Sequence, residues 1–269
     1  MTHPPVALTV AGSDPSGGAG IQADLKTFSA LGAYGTTVMT ALTAQSTRGV
    51  SAVHPVPPAF VRQQWRTLLD DVHVDTVKIG MLGSAEHVDV VGTLLDEWQV
   101  EHVVLDPVMV ATSGDRLLDE DAVDAVRRLV PHVSLVTPNL AEAAILLDTE
   151  PATTVDEMVD QAKAVVGLGA RRALVKGGHL VGTDGDVSVD VIADAEGTHL
   201  LAEPRVDTPN THGTGCTLSS AAAVLRTRRQ SWLDAVRDAK RWLTGALEQS
   251  HRLRVGHGAG PVHHFHEQW

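Results

Sequence analysis

The 269-residue chain has a single cysteine, Cys216. One cysteine cannot form an internal disulfide, which excludes a disulfide-stapled scaffold and fits a reducing compartment. Aromatic residues make up only 3%, too few for the stacking platforms of single-strand nucleic-acid binders. Basic residues are outnumbered 21 to 33 and the formal net charge is −12, so the basic footprint of a nucleic-acid-binding surface is missing. No apolar run approaches the roughly 20 residues of a membrane helix. The opening Met1-Thr2-His3-Pro4-Pro5 lacks a cationic start, and the apolar run 6–11 is too short for the core of an export signal. These absences predict a cytoplasmic protein without membrane or nucleic-acid partners. A small anion remains compatible with the acidic balance, because a local nest of backbone N–H groups binds one regardless of net charge.

Hydrophobic residues amount to 43%, enough for a sizeable core. Short β-branched runs alternate with amphipathic ones along the whole chain. The pattern predicts strands near 6–10, 36–42, 76–79, 102–105, 134–136, 173–175 and 187–192. It predicts helices near 21–31, 59–71, 85–98, 121–130, 141–147, 155–168, 217–226 and 231–250. Gly32 after Leu31, Ser84 before Ala85 and Pro131 after Val130 mark helix ends. Such alternation means a mostly parallel sheet with helices on both faces. No linker, charge block or repeat divides the chain, so residues 1–269 read as one domain.

The polar and glycine residues fall directly after the strands, at 11–20, 44–49, 80–83, 106–114, 137–139 and 176–179. In an open α/β sheet the ligand crevice lies outside the carboxyl ends of the strands, so the candidate chemistry gathers along one edge. The run His212-Gly213-Thr214-Gly215-Cys216-Thr217 opens a helix. Its first N–H groups are unpaired and lie at the positive end of the helix dipole, a site for a phosphate or a transferring phosphoryl group. In the same turn the dipole is expected to lower the Cys216 thiol pKa, making it a candidate general base. The alternative is a plain helix cap with glycines for packing and an inert cysteine.

The loop Gly12-Ser13-Asp14-Pro15-Ser16-Gly17-Gly18-Ala19-Gly20 is neither a Walker A loop nor a dinucleotide fingerprint. Its four glycines predict close backbone approach to a ligand, and Asp24, one turn into the helix, either faces the same crevice or is solvated. Asn139 and Glu142 share one face at a helix start; they read as a cap with a first-turn acid, or as water-mediated Mg²⁺ ligands with Asp106 as a second acid. Lys176 beside Gly177 and Gly178 is a candidate phosphate contact. The tail His263-His264-Phe265-His266 lacks the spacing and the further ligands of a metal site.

Taken together, the run from Val10 to Asp24 resembles the N-terminal motif of the hydroxymethylpyrimidine/phosphomethylpyrimidine kinases of thiamine biosynthesis, within the ribokinase-like superfamily. Segments 40–45, 78–83, 106–109, 137–142 and 213–216 agree with that family, as does the ending around Val255-Gly256-His257-Gly258. The resemblance implies a three-layer αβα ribokinase-like fold without a large lid domain, with ATP and Mg²⁺ as cosubstrates. It implies two successive phosphorylations of a hydroxymethylpyrimidine, and leaves room for a homodimer. By carry-over, Gln45 binds the aminopyrimidine, with Gly12, Asp24, Met81 and Val108 lining its pocket. Asp106, Asn139, Glu142 and Lys176 serve metal and phosphates; Gly213, Thr214 and Gly215 form the anion hole; Cys216 stands where most of the superfamily carries an aspartate. Rival readings are a pyridoxal kinase, a Cys216–His212 hydrolase and a catalytically silent binding protein.

Overall fold

The computed structural model describes residues 3–109, 122–178, 180 and 186–269. Among these the elements are, in chain order, β1 (Val6–Ala11), α1 (Gly20–Ala30), β2 (Tyr34–Met39), β3 (Ala41–Ser46), β4 (Gly49–Pro55), α2 (Pro58–Leu69), β5 (Thr76–Ile79), α3 (Ala85–Trp98) and β6 (His102–Leu105). There follow α4 (Ala122–Leu129), β7 (Leu135–Val136), α5 (Leu140–Leu147), α6 (Val155–Gly167), β8 (Arg172–Lys176), β9 (Val187–Asp194), β10 (Gly197–Pro204), α7 (Thr214–Arg226) and α8 (Trp232–Glu248). The expected start of α4 at Asp121, the stretch 110–114 of the loop after β6, and His179 lie outside the described residues.

Eight strands form one sheet in the order β10-β9-β8-β7-β6-β5-β1-β2. The pairs from β2 to β8 are parallel, and β9 and β10 add antiparallel strands at one edge. Strand order reverses beside β1, whose neighbours are β2 and β5, so the loops after β1 and β5 flank the topological switch point. One face is packed by α2, α3 and α4: Val61, Trp65, Val88, Val91 and Leu94 join Leu8, Val77 and Val103 in one buried cluster. The other face is covered by α7 and α8, whose Leu218, Ala221, Ala222, Val236 and Trp242 meet Val104, Leu135 and Leu174. A fully buried aromatic such as Trp65 or Phe28 contributes about 1.5–3 kcal/mol. The result is the three-layer α/β architecture expected, with a mostly parallel sheet.

Local capping explains the helix starts. Ser84 accepts the His87 N–H at α3, and reciprocal capping boxes Asn139/Glu142 and Thr154/Glu157 open α5 and α6. Gly32 turns left-handed (φ 72°) after α1, as a stop residue does.

Two departures from the sequence expectation matter for the site. The predicted strand 36–42 is broken at Thr40, whose hydroxyl donates to the Met81 carbonyl at 2.6 Å. Beyond it β3 and β4 form a separate antiparallel hairpin, with a register shift at Ala44/Gln45. A bulge of this kind re-aims a side chain, here Gln45. The residues 44–49 are therefore part of a small flap rather than a loop after a strand. Strand β10, an exposed and polar edge, was also not expected from its pattern.

Candidate active site

Five segments converge at the carboxyl edge of the sheet: those after β1, β5, β6, β7 and β8. The N-terminus of α7 joins them. Lys176 at the end of β8 places its ammonium 2.7 Å from Asp106 Oδ1, just past β6. Thr137 Oγ1 donates to the same oxygen at 3.1 Å, and Ser219 of α7 reaches Asp106 Oδ2 at 3.4 Å. Glu142 Oε2 lies 3.9 Å from Lys176. A Cβ at Gly215 would stand 3.2 Å from Lys176 Nζ and 3.6 Å from Asp106 Oδ2, so the α7 turn lies directly against this charged pair.

The electrostatics follow from burial and neighbours. Burial opposes ionisation of Asp106, but Lys176 and Lys78 outweigh it and hold its pKa below the usual value. Burial pushes Glu142 up to about 7, against the pull of Lys176 and with the Asp106 charge adding to the rise. Lys176 is raised: burial disfavours its charge, but Asp106 and Glu142 prevail. The cluster is two carboxylates sharing one ammonium.

Several expectations need correction. Cys216 does not have a lowered pKa. Desolvation pushes its thiol up to about 11; Lys78 pulls it down, while Asp24 and Asp106 push further up. Burial outweighs the local field of the helix start. Asp24 faces no crevice: it is fully buried, takes Lys78 Nζ at 2.9 and 3.0 Å, and accepts from Thr9 (2.6 Å) and Ser220 (2.7 Å). Both its oxygens are occupied beneath α7. The signal that sequence reading misses is Lys78 itself, a lysine between Val77 and Ile79 in a fully buried strand, a placement lysine takes only when paired.

The glycines of the β1–α1 loop are required by the chain's own packing. A Cβ at Gly12 would meet Met81 Cε at 2.5 Å, and one at Gly20 would run into the Gly12 carbonyl. Gly17 has φ 79° and Gly18 is pressed against the His212 ring. Gly12 and Met81 are thus brought together, though by contact with each other. Asn139 uses its Oδ1 to accept the Glu142 N–H at 2.9 Å while Glu142 Oε2 accepts the Asn139 N–H at 2.8 Å; this is the capping alternative. Gly213 is the N-cap of α7 with φ 80°, and a Cβ there would overlap the Gly18 carbonyl. The Thr214 N–H already reaches the Thr211 carbonyl at 3.3 Å, so the next N–H groups carry most of the turn's anion-binding capacity. Val108, half-buried, follows Asp106 in the loop after β6.

Gln45 lies on the flap, and the Thr43 hydroxyl stands 3.2 Å from its Oε1. The flap tip is tied down by Thr47, whose Oγ1 accepts from the backbone of His257 (3.2 Å) and Gly258 (3.1 Å). Farther along the C-terminal segment, His264 Nε2 bonds Thr217 Oγ1 at 3.0 Å. His212 Nε2 lies 2.8 Å from Asp14 Oδ2, which commits this nitrogen to Asp14 and leaves the hydrolase reading without its base. Among the described residues no group of three or more His, Cys, Asp or Glu is arranged to hold a metal, and no helix is long and apolar enough to cross a membrane.

His264 carries a pH consequence. Burial, with Lys26 adding to it, depresses its pKa to about 3 from 6.5. The unfolded chain therefore binds this proton first, and the stability that His264 contributes above pH 6.5 is lost as pH falls toward 3. The unfolding free energy from urea titrations is expected to fall between pH 6.5 and 4.5, by up to about 1.4 kcal/mol per pH unit from this group. His264→Gln is expected to flatten that slope; an unchanged slope refutes the assignment.

The sequence pattern of the phosphomethylpyrimidine kinase family matches residues 14–263. A hydroxymethylpyrimidine/phosphomethylpyrimidine kinase of Escherichia coli K12 is 54% identical over 264 residues, covering 98% of each chain. An ADP complex of Bacillus subtilis pyridoxal kinase superposes with a TM-score of 0.88 at 36% identity, covering 97% of each chain. A phosphomethylpyrimidine kinase from Clostridium difficile 630 gives a TM-score of 0.79 at 36% identity, covering 90% of this chain and 99% of that one. By pattern, identity and fold, the chain belongs to the phosphomethylpyrimidine kinase family.

Proposed function

We propose that this chain, as a single cytoplasmic kinase domain, transfers the terminal phosphoryl group of ATP to 4-amino-5-hydroxymethyl-2-methylpyrimidine. It then phosphorylates the monophosphate to the diphosphate, in thiamine biosynthesis. The observation that carries the reading is the charged pair Asp106–Lys176 set against Gly215 at the start of α7, at the same sheet edge as the flap bearing Gln45. Family membership and the nucleotide in the B. subtilis relative's structure support ATP as the donor.

The roles follow from the chemistry of each group. Phosphoryl transfer asks little covalent work of a protein, so positioning and charge stabilisation carry the rate. The N–H groups of Gly215 and Cys216, and the ammonium of Lys176, receive the phosphoryl oxygens. Asp106 and Glu142 fit a hydrated Mg²⁺: both are hard oxygen donors, and among the described residues the hydrogen bond at Asp106 Oδ2 is the long Ser219 contact, so acceptor capacity remains. The ion, when bound, neutralises phosphate charge. Asn139 keeps Glu142 in place through the cap. Cys216 takes the hydroxymethyl proton. Gln45, with a donor and an acceptor on one amide, pairs with the aminopyrimidine edge over Gly12, Met81 and Val108.

The test is ATP consumption in the presence of Mg²⁺ against hydroxymethylpyrimidine, its monophosphate and pyridoxal, for the natural chain and for Gln45→Ala. Turnover of both pyrimidines is expected. Gln45→Ala is expected to raise KM for the pyrimidine by roughly tenfold or more, because polar ring atoms lose their partners, with KM for ATP nearly unchanged. Saturable phosphorylation of pyridoxal alone would transfer the reading to a pyridoxal kinase. Equal loss of affinity for pyrimidine and ATP would remove Gln45 from the ring site.

A further inference from the structure

Segments far apart in the chain meet at one buried carboxylate. Asp14, in the loop between β1 and α1, is 1% exposed. Its Oδ1 accepts the N–H and the O–H of Ser16 at 2.8 and 2.7 Å, and its Oδ2 accepts the N–H groups of Gly18 and Ala19 at 3.1 and 2.8 Å. A ring of backbone donors in a glycine loop is an anion nest; here the chain's own carboxylate fills it. A fifth donor arrives from 198 residues away, where His212 Nε2 stands 2.8 Å from Oδ2. Burial opposes the Asp14 charge, yet the bonds from His212, Ser16 and Ala19 hold its pKa at about 2. The carboxylate is therefore ionised at neutral pH, and His212 Nε2 carries the hydrogen.

His212 is the residue before Gly213. Its backbone N–H donates to the Gly260 carbonyl at 3.0 Å and the residue bridges to Pro261. The two loops also touch directly, since the Gly18 carbonyl occupies the space where a Gly213 side chain would be. On its other side the β1–α1 loop is bonded to the flap. Ser13 N–H donates to the Ala41 carbonyl at 2.9 Å, and Thr43 N–H to Ser13 Oγ at 3.2 Å. The Thr43 hydroxyl lies 2.9 Å from the Ser13 carbonyl and 3.2 Å from Gln45 Oε1. Ser13 and Asp14 are adjacent residues, one bonded toward Gln45 and the other toward the 213–216 turn.

We propose that Asp14 and His212 are positioning residues: their bond registers the 213–216 turn against the β1–α1 loop and, through Ser13 and Thr43, against Gln45. The spacing between ring recognition and phosphoryl transfer is set by this latch. Its catalytic consequence rests on the reading of the turn given above. The latch itself does not, because the turn contains the chain's only cysteine, which reports its surroundings by its reactivity.

The experiment measures two quantities in the full-length chain with His212→Ala and His212→Gln: the rate of Cys216 alkylation by iodoacetamide at fixed pH, and kcat and KM for hydroxymethylpyrimidine with ATP. In His212→Ala the loosened turn is expected to expose the thiol and speed alkylation several-fold. The same variant is expected to lower kcat by roughly 10²-fold, the scale of an ångström-sized misplacement, with KM for the pyrimidine changed by less. Glutamine retains an Nε2 donor toward Asp14 and is expected to restore both quantities in large part. Unchanged alkylation in a folded His212→Ala, or a His212→Gln no better than alanine, overturns the latch. Faster alkylation with kcat intact keeps the latch and brings down the catalytic assignment of the turn. Should His212→Ala fail to fold, Asp14→Asn, which keeps the volume and removes the charge, carries the same expectations.

Discussion

Cys216→Ala is expected to reduce turnover of hydroxymethylpyrimidine by roughly 10² to 10⁴, the usual worth of a general base, while ATP and pyrimidine still bind. The thiol lies in the first turn of α7, one helical turn before Ser220 and in the field of Lys78. Because burial pushes it up to about 11, the thiolate is a minor form near neutrality. Turnover by the natural chain is therefore expected to climb with pH between 6 and 9, close to tenfold per unit while proton removal limits the rate. That limb is expected to vanish in Cys216→Ala. Cys216→Asp is expected to retain more activity than alanine with a flatter profile, since a carboxylate is ionised throughout. Measuring kcat/KM across this range for the three proteins decides the matter. Near-full turnover in Cys216→Ala with an unchanged profile would make Cys216 a packing residue. Asp106 would then be the next acid to test, since both oxygens of Asp24 are taken.

Asp24→Ala is expected to destabilise the fold by roughly 3–5 kcal/mol, the scale for leaving one member of a buried ion pair alone. Both Lys78 and Asp24 have no exposed side-chain surface. Burial disfavours the Lys78 ammonium, but Asp24, with smaller contributions from Cys216 and Asp106, more than reverses this and raises its pKa. Removing the carboxylate also strands the hydroxyls of Thr9 and Ser220. Replacing both partners together, Lys78→Met with Asp24→Leu, is expected to recover part of the loss, because no charge is then left in the interior. Urea denaturation at neutral pH provides the measurement. A loss below about 1 kcal/mol in Asp24→Ala, accompanied by a raised KM for the pyrimidine, would return Asp24 to a substrate-binding role.

Legibility in the sequence followed the range of the forces involved. The parallel strands and their helices are encoded locally, by runs such as His102–Leu105 and by caps such as Ser84 and Asn139, and these were readable. The gathering of Asp106, Asn139, Glu142 and Lys176 follows from their common position after strands, whereas the 213–216 turn is legible as a helix start and its meeting with that edge comes from the fold. The flap was not readable, because Tyr34–Met39 and Ala41–Ser46 are separated only by Thr40, and it is the Met81 carbonyl, 41 residues away, that breaks the chain there. The thiol of Cys216 departs from expectation for the same reason: the helix start is local, but desolvation is set by everything packed around it. Likewise Asp24 has its partner 54 residues away in a strand. The glycine loop suggests an opening for a ligand, but Met81 and His212, which fill the space beside Gly12 and Gly18, come from distant segments, and the loop's own Asp14 turns inward to take its N–H groups.

The C-terminal segment has a consequence for how the chain matures. Thr47 on the flap, His212 before the anion turn and Thr217 in α7 each bond to residues between His257 and His264. Those residues follow every described strand and helix in order of synthesis. When a nascent chain has emerged only as far as α8, the flap tip, the His212 backbone and the Thr217 hydroxyl still lack these partners, and the α7–α8 cluster still lacks Val262. These fastenings of the site therefore form only once residue 264 is free to fold back. Until then the flap and the 213–216 turn are without their fastening from the far end of the chain.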